Sequence, residues 1–181
     1  MKKRLFIAVP LPQEQLDELS SYSTKYPSKD VRWTAPENLH ITVYFCGNTD
    51  EEKIQEMNTK LEQALKSIKP FNLDWKELHF APLSRPPRMI WAQFEASQEF
   101  TKLVHTIYEV VKEFLDDSEK PHPKPIPHVT VARFKNPRVA EEIDLTQPKI
   151  NTLKVDKIEL ISSELSTNGP KYSVLHNYKL Q

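Results

Sequence analysis

The tetrapeptide His40-Ile-Thr-Val43 returns as His128-Val-Thr-Val131, 88 residues on, each time inside an apolar, strand-like run. Side chains alternate across a strand, so His40 and Thr42 share one face while Ile41 and Val43 take the other. His128 and Thr130 stand the same way against Val129 and Val131. Two imidazoles, each with a hydroxyl two positions on and each anchored by β-branched neighbours, suggest a site built twice and then brought together. With ordinary pKa values of about 6.5, two histidines make a natural proton-transfer couple near neutral pH, one as base and the other as acid.

The segments around the repeat alternate between strand and helix without a regular βαβα rhythm. Residues 4–9 read as a buried strand closed by Pro10, and a helix is expected from about Pro12 to Lys25 with Leu16, Leu19 and Tyr22 on its apolar side. Val31 to Thr34 predicts a short strand, Ala35 to Asn38 a turn, and Leu39 to Phe45 the first His strand. Gly47-Asn48-Thr49-Asp50 reads as a loop, with Thr49 or Asp50 capping a helix that runs to about Ile68 on the stripe Ile54, Met57, Leu61, Leu65 and Ile68. Phe71, Leu73 and Trp75 alternate as in a strand, residues 81–88 form a proline-rich loop, and Met89 to Phe94 is another strand. A helix over about 97–116 carries Phe100, Val104, Ile107, Val111 and Phe114 on one face. Four of the eight residues 120–127 are proline, so that stretch is not helical and leads directly into the second His strand. A short helix near 137–144, a strand region over 153–165, a turn at Asn168-Gly169-Pro170 and a last strand from Tyr172 to Leu180 complete the pattern. The expectation is an α+β fold with largely antiparallel sheets, residues 1–181 forming one domain of two lobes whose His strands face across a central cleft.

Composition narrows the chemistry. A chain of 181 residues that is 38% hydrophobic and 28% charged matches a soluble globular protein, and no apolar run approaches the roughly 20 residues of a membrane span. The basic N-terminus stops being apolar at Pro10, so it reads as a first strand in a cytoplasmic protein rather than as a signal peptide. Lys plus Arg and Asp plus Glu both number 25, which argues against coating long nucleic acid but not against a local phosphate pocket. Only Gly47 and Gly169 are present, too few for a P-loop or a dinucleotide-binding turn. The single Cys46 offers neither a disulfide nor a thiolate cluster, and no base stands at telling spacing from it. His79, His105, His122 and His176 lack metal-ligand spacing, so no metal and no cofactor is expected.

Each threonine hydroxyl can donate to a non-bridging phosphate oxygen while the imidazoles serve the attacking and leaving oxygens. That set suits metal-free, in-line displacement at phosphorus on an electrophile already activated, such as a strained cyclic phosphodiester. The paired motifs resemble the duplicated H-x-T-x signature of the 2H phosphoesterase superfamily. Arg4-Leu-Phe-Ile-Ala-Val-Pro10, Val31-Arg-Trp-Thr-Ala-Pro-Glu-Asn-Leu-His40, Pro127-His-Val-Thr-Val-Ala-Arg133, Ser163-Glu-Leu165 and Gly169-Pro-Lys-Tyr172 are similar to the bacterial and archaeal RNA 2',3'-cyclic phosphodiesterases, also called 2'-5' RNA ligases. The resemblance covers essentially the whole chain. It implies a bilobal fold with pseudo-twofold symmetry and hydrolysis of RNA or oligonucleotide 2',3'-cyclic phosphate ends to 2'-phosphates without a metal. It further implies His40 as proton donor to the leaving 3' oxygen, His128 as proton acceptor from water, and Thr42, Thr130 and Arg133 as phosphate ligands. The residues themselves leave the proton direction open, and strict parity sets Arg133 opposite His128 unless the strand ends, twists or bulges after Val131. Tyr44 shares the face of His40 and is the first candidate for base stacking, followed by Tyr172 and Phe45, the latter with core-side parity. RNA ends are the expected partner and the chain is expected to be a monomer, with no membrane and no obligate protein partner. The alternatives are 2'-5' ligation by the same site run backward, a non-catalytic RNA-end binder, and an enzyme for another small cyclic phosphate.

Overall fold

The structure is a computed structural model that describes residues 1–83, 86–115, 120–166 and 169–181. Its strands are β1 (Lys2–Pro10), β2 (Val31–Trp33), β3 (His40–Asp50), β4 (Phe71–Leu73), β5 (Trp75–Ala81), β6 (Met89–Phe94), β7 (His128–Phe134), β8 (Leu153–Val155), β9 (Lys157–Ser166) and β10 (Gly169–Lys179). Its helices are α1 (Gln13–Lys25), α2 (Glu51–Leu65) and α3 (Gln98–Val111), with short 3-10 turns at Pro36–Asn38, Lys112–Phe114 and Pro137–Glu142. Every pairing is antiparallel, and the main sheet runs β10-β9-β1-β3-β7-β6-β5, with β2 also on β7; β4 and β8 pair separately. The expected α+β, largely antiparallel architecture is what the chain adopts.

The two halves of the sheet meet at one register point, Ile41 opposite Val129. Both residues are fully buried and join one core with Met57 and Leu61 of α2 and Phe100, Leu103, Val104 and Ile107 of α3. The helical stripes on α2 and α3 are therefore the cover of the sheet's buried face. Ser97 caps α3 by accepting from the Phe100 N–H at 3.0 Å. On the opposite face a smaller cluster of Phe6, Ala8 and Ile161, with Tyr172 against it, packs beside the first His strand.

Several element boundaries differ from the sequence pattern. Residues 47–50 extend β3 instead of forming a loop, because Lys2 to Leu5 of β1 supply a pairing partner along that whole stretch. Gly47 accommodates an irregularity there at φ +66°, a left-handed conformation that suits glycine. Asp50 takes the N-cap position of α2 without a side-chain cap bond and instead faces Lys53 at 3.3 Å, while Thr49 is buried. The region 153–165 divides at Asp156 into strands of two different sheets, and the helix foreseen near 137–144 is a 3-10 turn. Residue 116, the expected end of the third helix, and Asn168 of the expected turn lie outside the described residues.

Candidate active site

The two His strands repeat not only a tetrapeptide but an irregularity of register. Thr42 pairs with Ala8 and Tyr44 with Ile7, leaving Val43 as an extra residue; Thr130 pairs with Trp91 and Ala132 with Ile90, leaving Val131 extra in the same place. A β-bulge of this kind resets alternation for the residues that follow. Tyr44 is thereby turned to the helix side, 8% exposed, with its ring 5.8 Å from Tyr108 of α3, and Phe45 emerges on the cleft side, 64% exposed. This reverses the parity expected for both: Tyr44 still lines the cleft but packs on the helix side rather than on the face of His40, and Phe45 is not a core residue. The equivalent bulge at Val131 brings Arg133 to the cleft face, the condition that strict parity demanded of it.

The registers also expose an asymmetry between the halves. Phe6 pairs with Phe45 where Met89 pairs with Arg133, so the same positions carry two aromatic rings in one half and a thioether with a guanidinium in the other. The Phe rings lie 6.0 Å apart, and the Arg133 Nη1 donates to Met89 Sδ at 3.0 Å.

His40, Thr42, His128, Thr130 and Arg133 all line one cleft of about 1560 Å³. Each imidazole is tethered in the same way: His40 Nδ1 donates to the Asn38 carbonyl at 2.8 Å, and His128 Nδ1 to the Ile126 carbonyl at 2.9 Å. A carbonyl only accepts, so Nδ1 carries the hydrogen and Nε2 is the acceptor of each neutral ring. His40 Nε2 accepts from the Thr42 hydroxyl at 3.1 Å. The rings are further fixed by stacking: His40 lies 4.8 Å from Phe6 with Tyr172 edge-on at 5.5 Å, and His128 lies 3.9 Å from Trp91 at 24°. Burial pushes His40 down to about 4, with the charge of His128 adding to the effect, and burial lowers His128 as well, with His79 and Arg133 contributing. Both rings are accordingly neutral in the free protein at pH 7.

The cleft is far more cationic than the chain. Arg4, Arg32, Lys120, Arg133 and Lys171 line it against the single carboxylate of Glu37 among the described residues. Arg4, Arg32 and Lys171, and the rings of Phe6 and Trp91 that support the histidines, carry no local signal of a site in the sequence; only strand register reveals them. Among the described residues no group of three or more His, Cys, Asp or Glu is arranged to hold a metal ion. Cys46 is buried, which raises its thiol to about 12, and His79 is engaged with Gln93 at 2.9 Å.

A family model for the 2'-5' RNA ligase superfamily matches residues 9–167, across both His strands and the bulge that follows each. The chain belongs to that superfamily. Over 99% of its length it is 28% identical to the whole of the RNA 2',3'-cyclic phosphodiesterase of Methanothermobacter thermautotrophicus. A crystal structure from Thermus thermophilus superposes with a TM-score of 0.82 at 27% identity, covering 98% of this chain and 97% of that one. Escherichia coli LigT, solved with 3'-AMP, shares the fold at a TM-score of 0.79 and 20% identity, covering 100% of this chain and 99% of that one. No helix among the described residues is long and apolar enough to cross a membrane.

Proposed function

We propose that this protein hydrolyses RNA or oligonucleotide 2',3'-cyclic phosphate ends to 2'-phosphate ends, without a metal, by acid and base catalysis from His40 and His128. The observation that carries this reading is the pair of identically tethered imidazoles in one cationic cleft, each with Nε2 as its remaining acceptor. Relatives of this chain along nearly its full length are named RNA 2',3'-cyclic phosphodiesterases, which favours the same reaction here.

In the proposed step a water oxygen attacks phosphorus in line with the 3' oxygen. His128 Nε2 takes the water proton, the P–O3' bond breaks, and His40 Nε2 delivers its proton to the departing 3' oxygen. The Thr42 and Thr130 hydroxyls donate to the non-bridging oxygens, and the Arg133 guanidinium balances their charge. His40, held near 4 by burial, gains its proton together with the anionic phosphate, whose charge favours imidazolium. The indole of Trp91, stacked on His128, favours the positive charge that ring acquires as base. Base stacking, foreseen for Tyr44, falls to the exposed ring of Phe45. Ligation would be the same displacement run backward with a 5'-hydroxyl in place of water, and analysis of the products separates the two.

The test is an assay with a 2',3'-cyclic-ended oligonucleotide in the presence of EDTA. Wild type is expected to release the 2'-phosphate, and His40→Ala and His128→Ala each to lose at least about 100-fold in kcat. Undiminished turnover by either variant, or loss of wild-type activity in EDTA, overturns the reading.

A further inference from the structure

The proposed reaction handles one negative charge, that of a single cyclic phosphodiester, and Arg133 with the two threonines answers it. The cleft holds more positive charge than that. Arg32 of β2 is the direct antiparallel partner of Arg133 on β7, and both are exposed and line the cleft. Directly opposed residues point to the same face, and like charges so placed repel and cost stability. Neither arginine forms an ion pair with a carboxylate among the described residues.

Arg32 lies beside the start of β10. Gly169, at the start of β10, has φ +124°, and a Cβ placed there would stand 2.9 Å from Arg32 Nη2. The guanidinium thus lies against the Gly169 backbone, whose positive φ favours glycine. Lys171, two residues further on β10, and Arg4 on β1 line the same cleft. At about 1560 Å³ the cleft also exceeds the roughly 300–1,000 Å³ usual for one small ligand. Uncompensated guanidinium groups on the wall of an oversized cleft suit a ligand with phosphates beyond the reacting one, and an RNA strand supplies one such charge per nucleotide.

Resting on the reading of the site as a cyclic phosphodiesterase, we propose that Arg32, assisted by Arg4 and Lys171, binds the internucleotide phosphate that precedes the cyclic end. The protein therefore selects a strand terminus over a free 2',3'-cyclic mononucleotide. Arg32 here is a specificity-determining residue, distinct from the groups that act on the reacting phosphorus.

Two dinucleotides ending in a 2',3'-cyclic phosphate test this, one with an ordinary phosphodiester linkage and one with a neutral methylphosphonate linkage. Wild type is expected to favour the charged linkage by roughly tenfold in kcat/KM, mainly through KM, as suits a charge-assisted hydrogen bond. Arg32→Gln should abolish that ratio, Arg32→Lys should retain most of it, and the melting temperature of Arg32→Gln should equal or exceed that of wild type as the repulsion is relieved. The proposal is overturned if wild type does not discriminate the linkages, if Arg32→Gln discriminates as wild type does, or if Arg32→Gln unfolds at markedly lower temperature. Absence of turnover on both dinucleotides would refute the phosphodiesterase reading instead. Binding of the corresponding 2'-phosphate dinucleotides by the same proteins then decides Arg32 on its own: loss of the charged-linkage preference in Arg32→Gln supports it, and an unchanged preference overturns it.

Discussion

His40 and His128 share a tetrapeptide, a backbone tether and a stacked ring, yet the proposed reaction asks opposite things of them. The acid must hold a proton that burial works to remove, since His40 is pushed down to about 4. The base must be neutral, and burial helps, since His128 is lowered too. The pH dependence follows from these signs. The profile of kcat/KM reports the free enzyme, in which the protonated fraction of His40 shrinks as pH rises above its lowered pKa. The neutral fraction of His128 is already dominant by pH 6.5. The product of the two populations peaks below pH 6.5 and falls through neutrality. In the complex the bound anion raises both rings, so kcat peaks at higher pH than kcat/KM. Initial rates from pH 4.5 to 9 measure both profiles, and a kcat/KM that keeps climbing between pH 7 and 9 rules out a paired-imidazole mechanism with these residues.

At the scale of elements, what aims the site is the bulge repeated in β3 and β7, and one residue ties it down. Thr34, just past β2, donates its backbone N–H to the Val131 carbonyl at 2.9 Å and its hydroxyl to the Thr130 carbonyl at 2.7 Å. These bonds hold the extra residue that brings Arg133 to the cleft. Thr34→Val keeps the shape and removes the hydroxyl, with an expected loss of about 1 kcal/mol, or about 2–4 °C in melting temperature. Thr34→Ser restores the donor and should melt close to wild type. Equal melting of all three proteins would show that the hydroxyl does not secure the bulge. The same bulges mark the limit of what the sequence reveals. The strands bearing His40 and His128, the helical stripes and the shared face of His and Thr were legible because they follow from local period. Local alternation puts Tyr44 and Phe45 on the wrong faces because a bulge is defined by the partner strand, here Ile7 and Ala8, which the local pattern does not contain. β3 likewise runs through Gly47 and Asn48 because β1 pairs with that stretch, overriding a local turn signal.

For the molecule as a whole, a net charge of zero conceals a cationic cleft, because the register that gathers Arg4, Arg32, Arg133 and Lys171 joins strands distant in sequence. Concentrating titratable groups against a core also couples the site to global stability. An unfolded His40 titrates near 6.5, whereas in the fold it titrates near 4, so between those values the unfolded chain binds more protons. His40 therefore costs the fold nothing above pH 6.5, and global stability is lost progressively as pH falls from 6.5 to 4. The full difference of about 2.5 pH units corresponds to about 3 kcal/mol. His128, lowered in the same direction, adds to the loss. His40→Gln removes the titrating group while keeping a polar side chain of similar reach. Urea unfolding in phosphate-free buffer at pH 7.5 and pH 4.5 should show wild type losing about 2–3 kcal/mol more than His40→Gln over that interval. The substitution leaves every carboxylate in place, so the difference between the two proteins reports on the histidine. If the two proteins lose stability in parallel, the imidazole is not held neutral by the fold, and the acid-shifted kcat/KM profile argued above fails with it.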